Sequence, residues 1–262
     1  MFKIKNLSVH IGKRTILKDI SFETNPREIT GLIGKSGSGK STLFRLALGL
    51  LPKSEGYEWT GELEWNGKLL GKKHCPEIQP VFQDPFGSFS PYQPIGKLLF
   101  EPLKIQKQLV LNQELKSKER IRIESFCDRF ELPRSLLCKT KRELSGGQLQ
   151  RFAILRALLM NPEYLLLDEP VTALDVVVQK KIAEELKDIN QKDSLGMLIV
   201  SHDLGFLSYM CDQIFVLEEG TITEFGNPKQ LLKNPKSKLL QELVFARNHS
   251  FGGVTSSSES SN

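Results

Sequence analysis

Little in this sequence favours a disulfide scaffold, a bound metal cluster or a membrane span. Its 262 residues include four cysteines, at positions 75, 127, 138 and 211. No two stand in C-x-x-C spacing, which argues against zinc knuckles and redox pairs. Reduced thiols are the plain reading, and His74 beside Cys75 reads as a structurally neutral loop pair. No run of about 18 apolar residues occurs, so no stretch reads as a membrane-crossing helix. Lys3 and Lys5 are followed by a mixed strand pattern and not by an apolar core, so a secretory signal is not expected. Neither charge sign dominates: 36 basic against 31 acidic residues leave a net charge of +5. That balance permits an anionic ligand or a membrane-side partner and does not call for nucleic acid. Internal repeats are absent. What remains is ordinary globular composition, in a length that suits one large α/β domain or a domain with a subdomain.

The most informative stretch is Gly34-Lys35-Ser36-Gly37-Ser38-Gly39-Lys40-Ser41-Thr42. From Gly34 to Ser41 it reads G-x-x-x-x-G-K-S, the phosphate-binding loop pattern. An apolar run, Ile29 to Ile33, enters it like a buried strand. A helical pattern, Leu43, Phe44, Leu46, Ala47 and Leu50, leaves it and stops at Pro52. Glycines at 34, 37 and 39 let the backbone wrap closely around a polyphosphate. The loop amides then face an anion at the positive end of the helix. Lys40 is placed to reach the outer phosphates, and the Ser41 hydroxyl to meet Mg²⁺.

Around this loop the pattern is that of an α/β protein. Residues 1–30 alternate as strands with turns at Gly12-Lys13-Arg14 and Asn25-Pro26. A strand over Gly61–Gly67 closes on an Asn-Gly turn, so a small antiparallel sheet is expected beside the phosphate loop. Ile78 to Gln83 reads as a buried strand ending on a glutamine. Residues 84–143 read as a helical insert, first rich in proline and aromatics and then charged. The core resumes at Leu144, with a helix that Ser145-Gly146-Gly147 opens and that runs through Gln148 to Met160, a strand over Tyr164–Leu167 and a helix over Val177–Asn190. A strand at Met197–Val200 follows, then a hairpin near Gly220 and a helical segment over 228–247. From His249 to Asn262 the composition is that of a disordered tail.

Two further motifs carry chemistry. The strand before Asp168-Glu169 delivers two acids at its carboxyl end, where ligands of α/β sheets bind. Asp168 is placed to hold Mg²⁺ and Glu169 to orient or deprotonate an attacking water. Leu144-Ser145-Gly146-Gly147-Gln148 resembles a second helix-start anion site, a hydroxyl followed by bare amides. One nucleotide has one set of phosphates, and Gly34–Ser41 already cradles them. A second anion site therefore implies the nucleotide of a second chain, in a head-to-tail dimer.

In order, Gly34–Ser41, Gln83, Leu144–Gln148, Asp168–Glu169, Asp175 and His202 resemble the nucleotide-binding domain of an ABC transporter over residues 1–235. The resemblance implies a P-loop NTPase fold of the ABC type, with a flanking antiparallel β-subdomain and an inserted α-helical subdomain at 84–143. Residues 236–262 would be a helix end and a Ser-rich tail. ATP and Mg²⁺ are the implied ligands. Two such domains would sandwich two ATP molecules, with Lys40 and Ser41 of one facing Ser145, Gly147 and Gln148 of the other. Glu169 would be the catalytic carboxylate and His202 the switch histidine. Gln83 would sense the γ-phosphate and the metal, and Asp175 would lie at the dimer seam.

Val81-Phe-Gln-Asp-Pro-Phe-Gly-Ser-Phe-Ser-Pro91 resembles the F-Q-D-P-x-x-S-L-N-P pattern of the peptide and nickel importer group. Asn234–Leu240 resembles that group's C-terminal motif without its usual Tyr-Thr. The cysteine cluster of the larger members is absent, so the chain looks like the shorter of two paired ATPases. The implied assembly adds a second ATPase subunit (a heterodimer, with a homodimer as the alternative), two membrane permeases and, indirectly, a solute-binding protein. The implied location is peripheral, on the cytoplasmic face of the membrane. The cargo would be peptides, nickel or metal–chelator complexes. One position departs from the family: where an aromatic residue usually stacks the adenine, this chain has Ile11. Two rivals stand beside the importer: a soluble ABC ATPase acting in iron–sulphur or other assembly, and a nucleotide-dependent scaffold without turnover.

Overall fold

The computed structural model describes residues 1–72, 75–107, 113–172 and 174–251. Two sheets carry the chain. Strands β1 (Phe2–Ile11) and β2 (Arg14–Thr24) form a hairpin about the Gly12 turn. After β3 (Ile29–Ile33) and helix α1 (Lys40–Ala47), β4 (Tyr57–Trp65) returns to pair with β1, and a two-residue β5 (Lys68–Leu69) pairs with β4. The antiparallel order is β2-β1-β4-β5. The Asn-Gly turn joins β4 to β5, with φ of 47° at Asn66 and 79° at Gly67. Positive φ at both positions suits the right-handed twist of a tight hairpin.

The second sheet is built for burial. Strands β3, β6 (Ile78–Val81), β7 (Tyr164–Asp168) and β8 (Gly196–Ser201) run parallel with β9 (Gln213–Glu218); β10 (Thr221–Gly226) closes one edge antiparallel. The order is β10-β9-β3-β8-β7-β6. Every residue of β3, β7 and β8 is buried, so these strands read as unbroken apolar runs without alternation. Register aligns their ends: Ile33 sits beside Ser201, and Asp168 beside Val200. The phosphate loop, the two acids and His202 therefore emerge from one edge of one sheet.

Between the sheets Tyr164 is the anchor. Its ring stacks on Phe2 at 5.8 Å and meets Trp65 at 4.8 Å, and its hydroxyl lies 3.0 Å from the Thr24 hydroxyl.

The expected insert carries two helices, α2 (Ile95–Lys107) and α3 (Gln113–Arg129). It does not stand apart. Leu99 and Leu103 of α2 and Ile123 and Cys127 of α3 share one apolar cluster with α4 (Gly146–Leu159). Arg122 of α3 donates to the carbonyls of Leu158 and Leu159, meeting the open C-terminal end of α4. Arg156 lies over the Phe89 ring at 4.4 Å and ties the proline-rich entry of the insert to α4.

Helix α5 (Val176–Asp193) follows β7, and the short α6 (Leu204–Met210) follows β8. The single helical segment expected over 228–247 is two, α7 (Pro228–Lys233) and α8 (Lys238–Phe251). Pro235 separates them; it lacks an N–H and disfavours helical backbone at Asn234. Leu239 and Leu240 of α8 are buried in the same core as the sheet, and Glu218 and Glu224 accept backbone N–H bonds at its start. The boundary expected at residue 235 thus falls between two helices packed on one core. The tail expected to be disordered from His249 begins inside α8, which runs to Phe251; the residues after Phe251, and His74, lie outside the described residues. Among the described residues no helix is long and apolar enough to cross a membrane.

Candidate functional site: a phosphate-loop cavity

The loop between β3 and α1 is shaped by its glycines. Gly37 and Gly39 have φ of 79° and 111°. A Cβ on Gly39 would lie 2.4 Å from Leu17, and one on Gly34 would lie 2.6 Å from the Leu217 carbonyl. Side chains are thus barred by conformation at two positions and by space at two. The ammonium of Lys40 is buried and donates to the carbonyls of Gly34 at 2.7 Å and Lys35 at 3.0 Å, so the loop folds around it. Burial holds its pKa below the usual lysine range, against the pull of Glu169 and Asp168. No side chain caps α1 at Gly39, which leaves its first amides free for an anion. The Ser38 hydroxyl is buried without a partner among the described residues.

Opposite stand the acids. Asp168 closes β7 and is buried; burial, and then the neighbouring Glu169, push its carboxyl up to about 6. Glu169 follows with φ of 48°, a backbone region that non-glycine residues seldom occupy and that recurs at functional sites. Its carboxylate accepts from the Thr172 hydroxyl at 2.7 Å, the Ser201 hydroxyl at 3.2 Å and the His202 amide at 3.1 Å. The His202 ring meets it through Nδ1 at 2.7 Å. Ser201 ends strand β8 and His202 follows it, which is why the end register of β7 and β8 matters.

These groups share one open cavity of about 620 Å³, into which Lys40, Ser41, Thr42, Gln83, Asp168, Glu169 and His202 converge with Ser36, Gly37 and Gly39. The Ser41 hydroxyl, the Gln83 amide oxygen and the Asp168 carboxylate are hard oxygen donors, as Mg²⁺ requires. A cation there would offset the penalty that burial puts on the charged Asp168 carboxylate. Among the described residues no cluster of three or more His, Cys, Asp or Glu could hold a metal by itself.

Other expected residues lie outside the cavity. Ser145 caps α4: its hydroxyl accepts from the Gln148 amide at 3.2 Å, and the Gln148 side chain accepts from the Ser145 amide at 3.0 Å. This is a capping box. Asp175 likewise caps α5 by accepting from the Val178 amide. Gly147 packs so near Leu174 that a Cβ would come within 2.8 Å. Lys35 and Ser38 line a neighbouring cavity of about 510 Å³ toward Glu218 and Lys238, and Lys35 pairs with Glu242 of α8. Ile11, expected beside the base, is not among the residues lining the phosphate-loop cavity. It ends β1 opposite Arg14 and Tyr57, and the cavity wall is supplied by Arg14 and Ile16. Neither residue carries a motif. The one usable signal was that Leu17 must face the core, which turns Ile16 the other way.

Residues 17–172 match the ABC transporter family. An oligopeptide transport ATP-binding protein of Haemophilus influenzae, OppF, is 35% identical over 93% of this chain and 75% of its own length. A putative peptide import ATP-binding protein of Brucella ovis is 34% identical over 94% of this chain and 78% of its own. Among solved structures, an ATP-binding cassette seen as a post-hydrolysis dimer with ADP and phosphate superposes with a TM-score of 0.74 at 26% identity, over 87% of this chain and 99% of that one. The cbiO1 part of the Clostridium perfringens cbiONQ transporter complex gives the same score and identity over 96% of each chain. The chain therefore belongs to the ABC transporter family, as one of its ATP-binding-cassette ATPases.

Proposed function

We propose that this ATPase energises a membrane importer whose cargo is peptides. The observation that carries the catalytic part is the convergence of Lys40, Asp168, Glu169 and His202 on one cavity at the strand ends. The cargo rests on the relatives, which are named for oligopeptide transport and peptide import.

In this reading the α1 amides and Lys40 hold the outer phosphates, whose charge offsets the burial of the ammonium. Ser41, Gln83 and Asp168 would hold Mg²⁺, which when bound offsets phosphate charge. Glu169 receives the proton of the attacking water, or orients that water, as the water oxygen bonds to the γ-phosphorus and the bond from that phosphorus to the bridging oxygen breaks, so that ADP leaves with that oxygen. His202 holds the Glu169 carboxylate and faces the γ-phosphate. Ser145, Gly147, Gln148 and Asp175, which lie outside their own chain's cavity, would serve the nucleotide of a second ATPase subunit. Gln83, at the join of core and insert, would pass the state of the site to the helices that meet a permease. The subunit would sit peripherally on the cytoplasmic face, with two permeases and a solute-binding protein completing the transporter.

The test is Glu169→Gln in the full chain. ATP turnover should fall by about 10²–10⁴-fold while ATP binding persists. In cells whose only copy carries Glu169→Gln, uptake of a labelled dipeptide should collapse, with nickel uptake as the contrasting arm. Turnover at the parent rate removes Glu169 from its role. Loss of nickel uptake alone reassigns the cargo. If both uptakes persist while the parent protein hydrolyses ATP, the importer gives way to a soluble assembly ATPase.

A further inference from the structure

We propose that Arg14 holds the base of the nucleotide: its guanidinium plane, with Ile16 beside it, stacks on the adenine. The inference rests on the nucleotide reading above and names a residue for the part of ATP that the phosphate loop does not touch. Arg14 and Ile16 line the same cavity as the loop, and among the described residues no Phe, Tyr or Trp lines it. Phosphates seated at α1 place the acids on one side and leave the start of β2 as the remaining wall. A stacking platform must come from that wall, and its one planar side chain is Arg14.

The position of Arg14 is fixed by the backbone behind it. Alternate residues of a strand share a face, so Arg14 and Ile16 go together while Leu17 turns into the core. Gly39 approaches Leu17 so closely that a Cβ would sit at 2.4 Å, and a Cβ on Gly220 would sit 2.3 Å from the Ile16 carbonyl. The Lys18 amide also donates to the Gly220 carbonyl at 2.8 Å. The start of β2 is thus wedged between the phosphate loop and the β9–β10 turn, and it cannot shift without moving the loop. The Arg14 guanidinium makes no ion pair or hydrogen bond within the described residues, so its face is open.

A guanidinium is planar, weakly hydrated and stacks on base faces. Such stacking is tolerant, because every base has a π-face. The site should therefore discriminate poorly between purines.

The full chain is titrated calorimetrically with ATP, with GTP and with tripolyphosphate, which has no base, at one ionic strength. Arg14→Ala should weaken ATP by about three- to tenfold and tripolyphosphate by less than about twofold. Arg14→Lys keeps the charge and loses the plane, and should weaken ATP nearly as much. Arg14→Tyr should restore parent affinity. GTP should bind the parent within about threefold of ATP. The inference is overturned if Arg14→Ala weakens ATP and tripolyphosphate equally, which makes Arg14 a phosphate contact. It is overturned also if neither ligand weakens, or if Arg14→Lys binds ATP as the parent does. A parent chain that binds neither ligand removes the nucleotide reading and this inference together. A parent that binds both and is indifferent to Arg14 removes only the inference.

Discussion

Asp168→Asn should make the nucleotide-free chain more stable and nearly inactive. Asp168 sits at the buried end of β7 with its carboxyl pushed up to about 6 from an ordinary value of 3.8, first by burial and then by Glu169. At 1.36 kcal/mol per pH unit, ionising it in the folded state costs about 3 kcal/mol more than in the unfolded chain. Water in the open cavity screens part of this, so about 1–2 kcal/mol is the working figure. The sign follows from the direction. An acid whose folded value is raised binds more protons folded than unfolded, so the penalty is full above about pH 6 and fades as pH falls toward 4. Asparagine has a similar shape and no ionisation, so it removes the penalty. With EDTA present and no nucleotide, the variant should melt about 2–4 °C higher at pH 7.5. At pH 5 the gain should be about half as large. ATP turnover with Mg²⁺ should fall by at least about 10²-fold, because a charge meant for the transition state has gone. No gain at pH 7.5, or an equal gain at both pH values, would refute the reasoning, since the effect would then not follow ionisation.

Two further substitutions test the frame that positions the site. Gly196→Ala would bring a Cβ within 2.2 Å of the Pro26 carbonyl and 2.7 Å of the Tyr164 ring; neither can give way, so urea unfolding should show a loss of about 2–3 kcal/mol. Tyr164→Phe strips the buried hydroxyl that pairs with Thr24 at 3.0 Å; the expected loss is about 1–2 kcal/mol in the same assay, with turnover within about twofold of the parent.

Legibility in the sequence followed distance along the chain. The phosphate loop, the strand before Asp168 and the buried strands β3 and β8 are local patterns, and each was readable from about a dozen residues. The Asn66-Gly67 turn was readable because it needs positive φ at both positions. Arg14 and Ile16 were not readable as site residues: their place depends on glycine contacts across the chain, Gly39 to Leu17 and Gly220 to Ile16. Ile11 was expected in the site by counting from Gly12. The β1–β2 register, shifted at three points along the pair, sets Ile11 opposite Arg14 and Tyr57, so it stands beside the cavity wall and does not line the cavity. The capping role of Ser145 and Gln148 follows an S-x-x-Q spacing that was present in the sequence.

Capping and anion binding at Ser145–Gln148 are compatible. A capping box occupies the Ser145 hydroxyl and the amides of Ser145 and Gln148, and it leaves those of Gly146 and Gly147 at the helix start. Gly147 in turn lies against Leu174, next to Asp175. Leu174 lies two residues after Thr172, whose hydroxyl holds the Glu169 carboxylate. The start of α4 and the carboxylate that would activate water are therefore joined by a short run of contacts within one chain. In the proposed assembly an anion seated at Gly146 and Gly147 belongs to the neighbour's nucleotide. Its arrival would press on the segment that orients Glu169 at the chain's own nucleotide. Closure on both nucleotides and alignment of each Glu169 would then be one event, which is what coupling hydrolysis to a mechanical stroke requires.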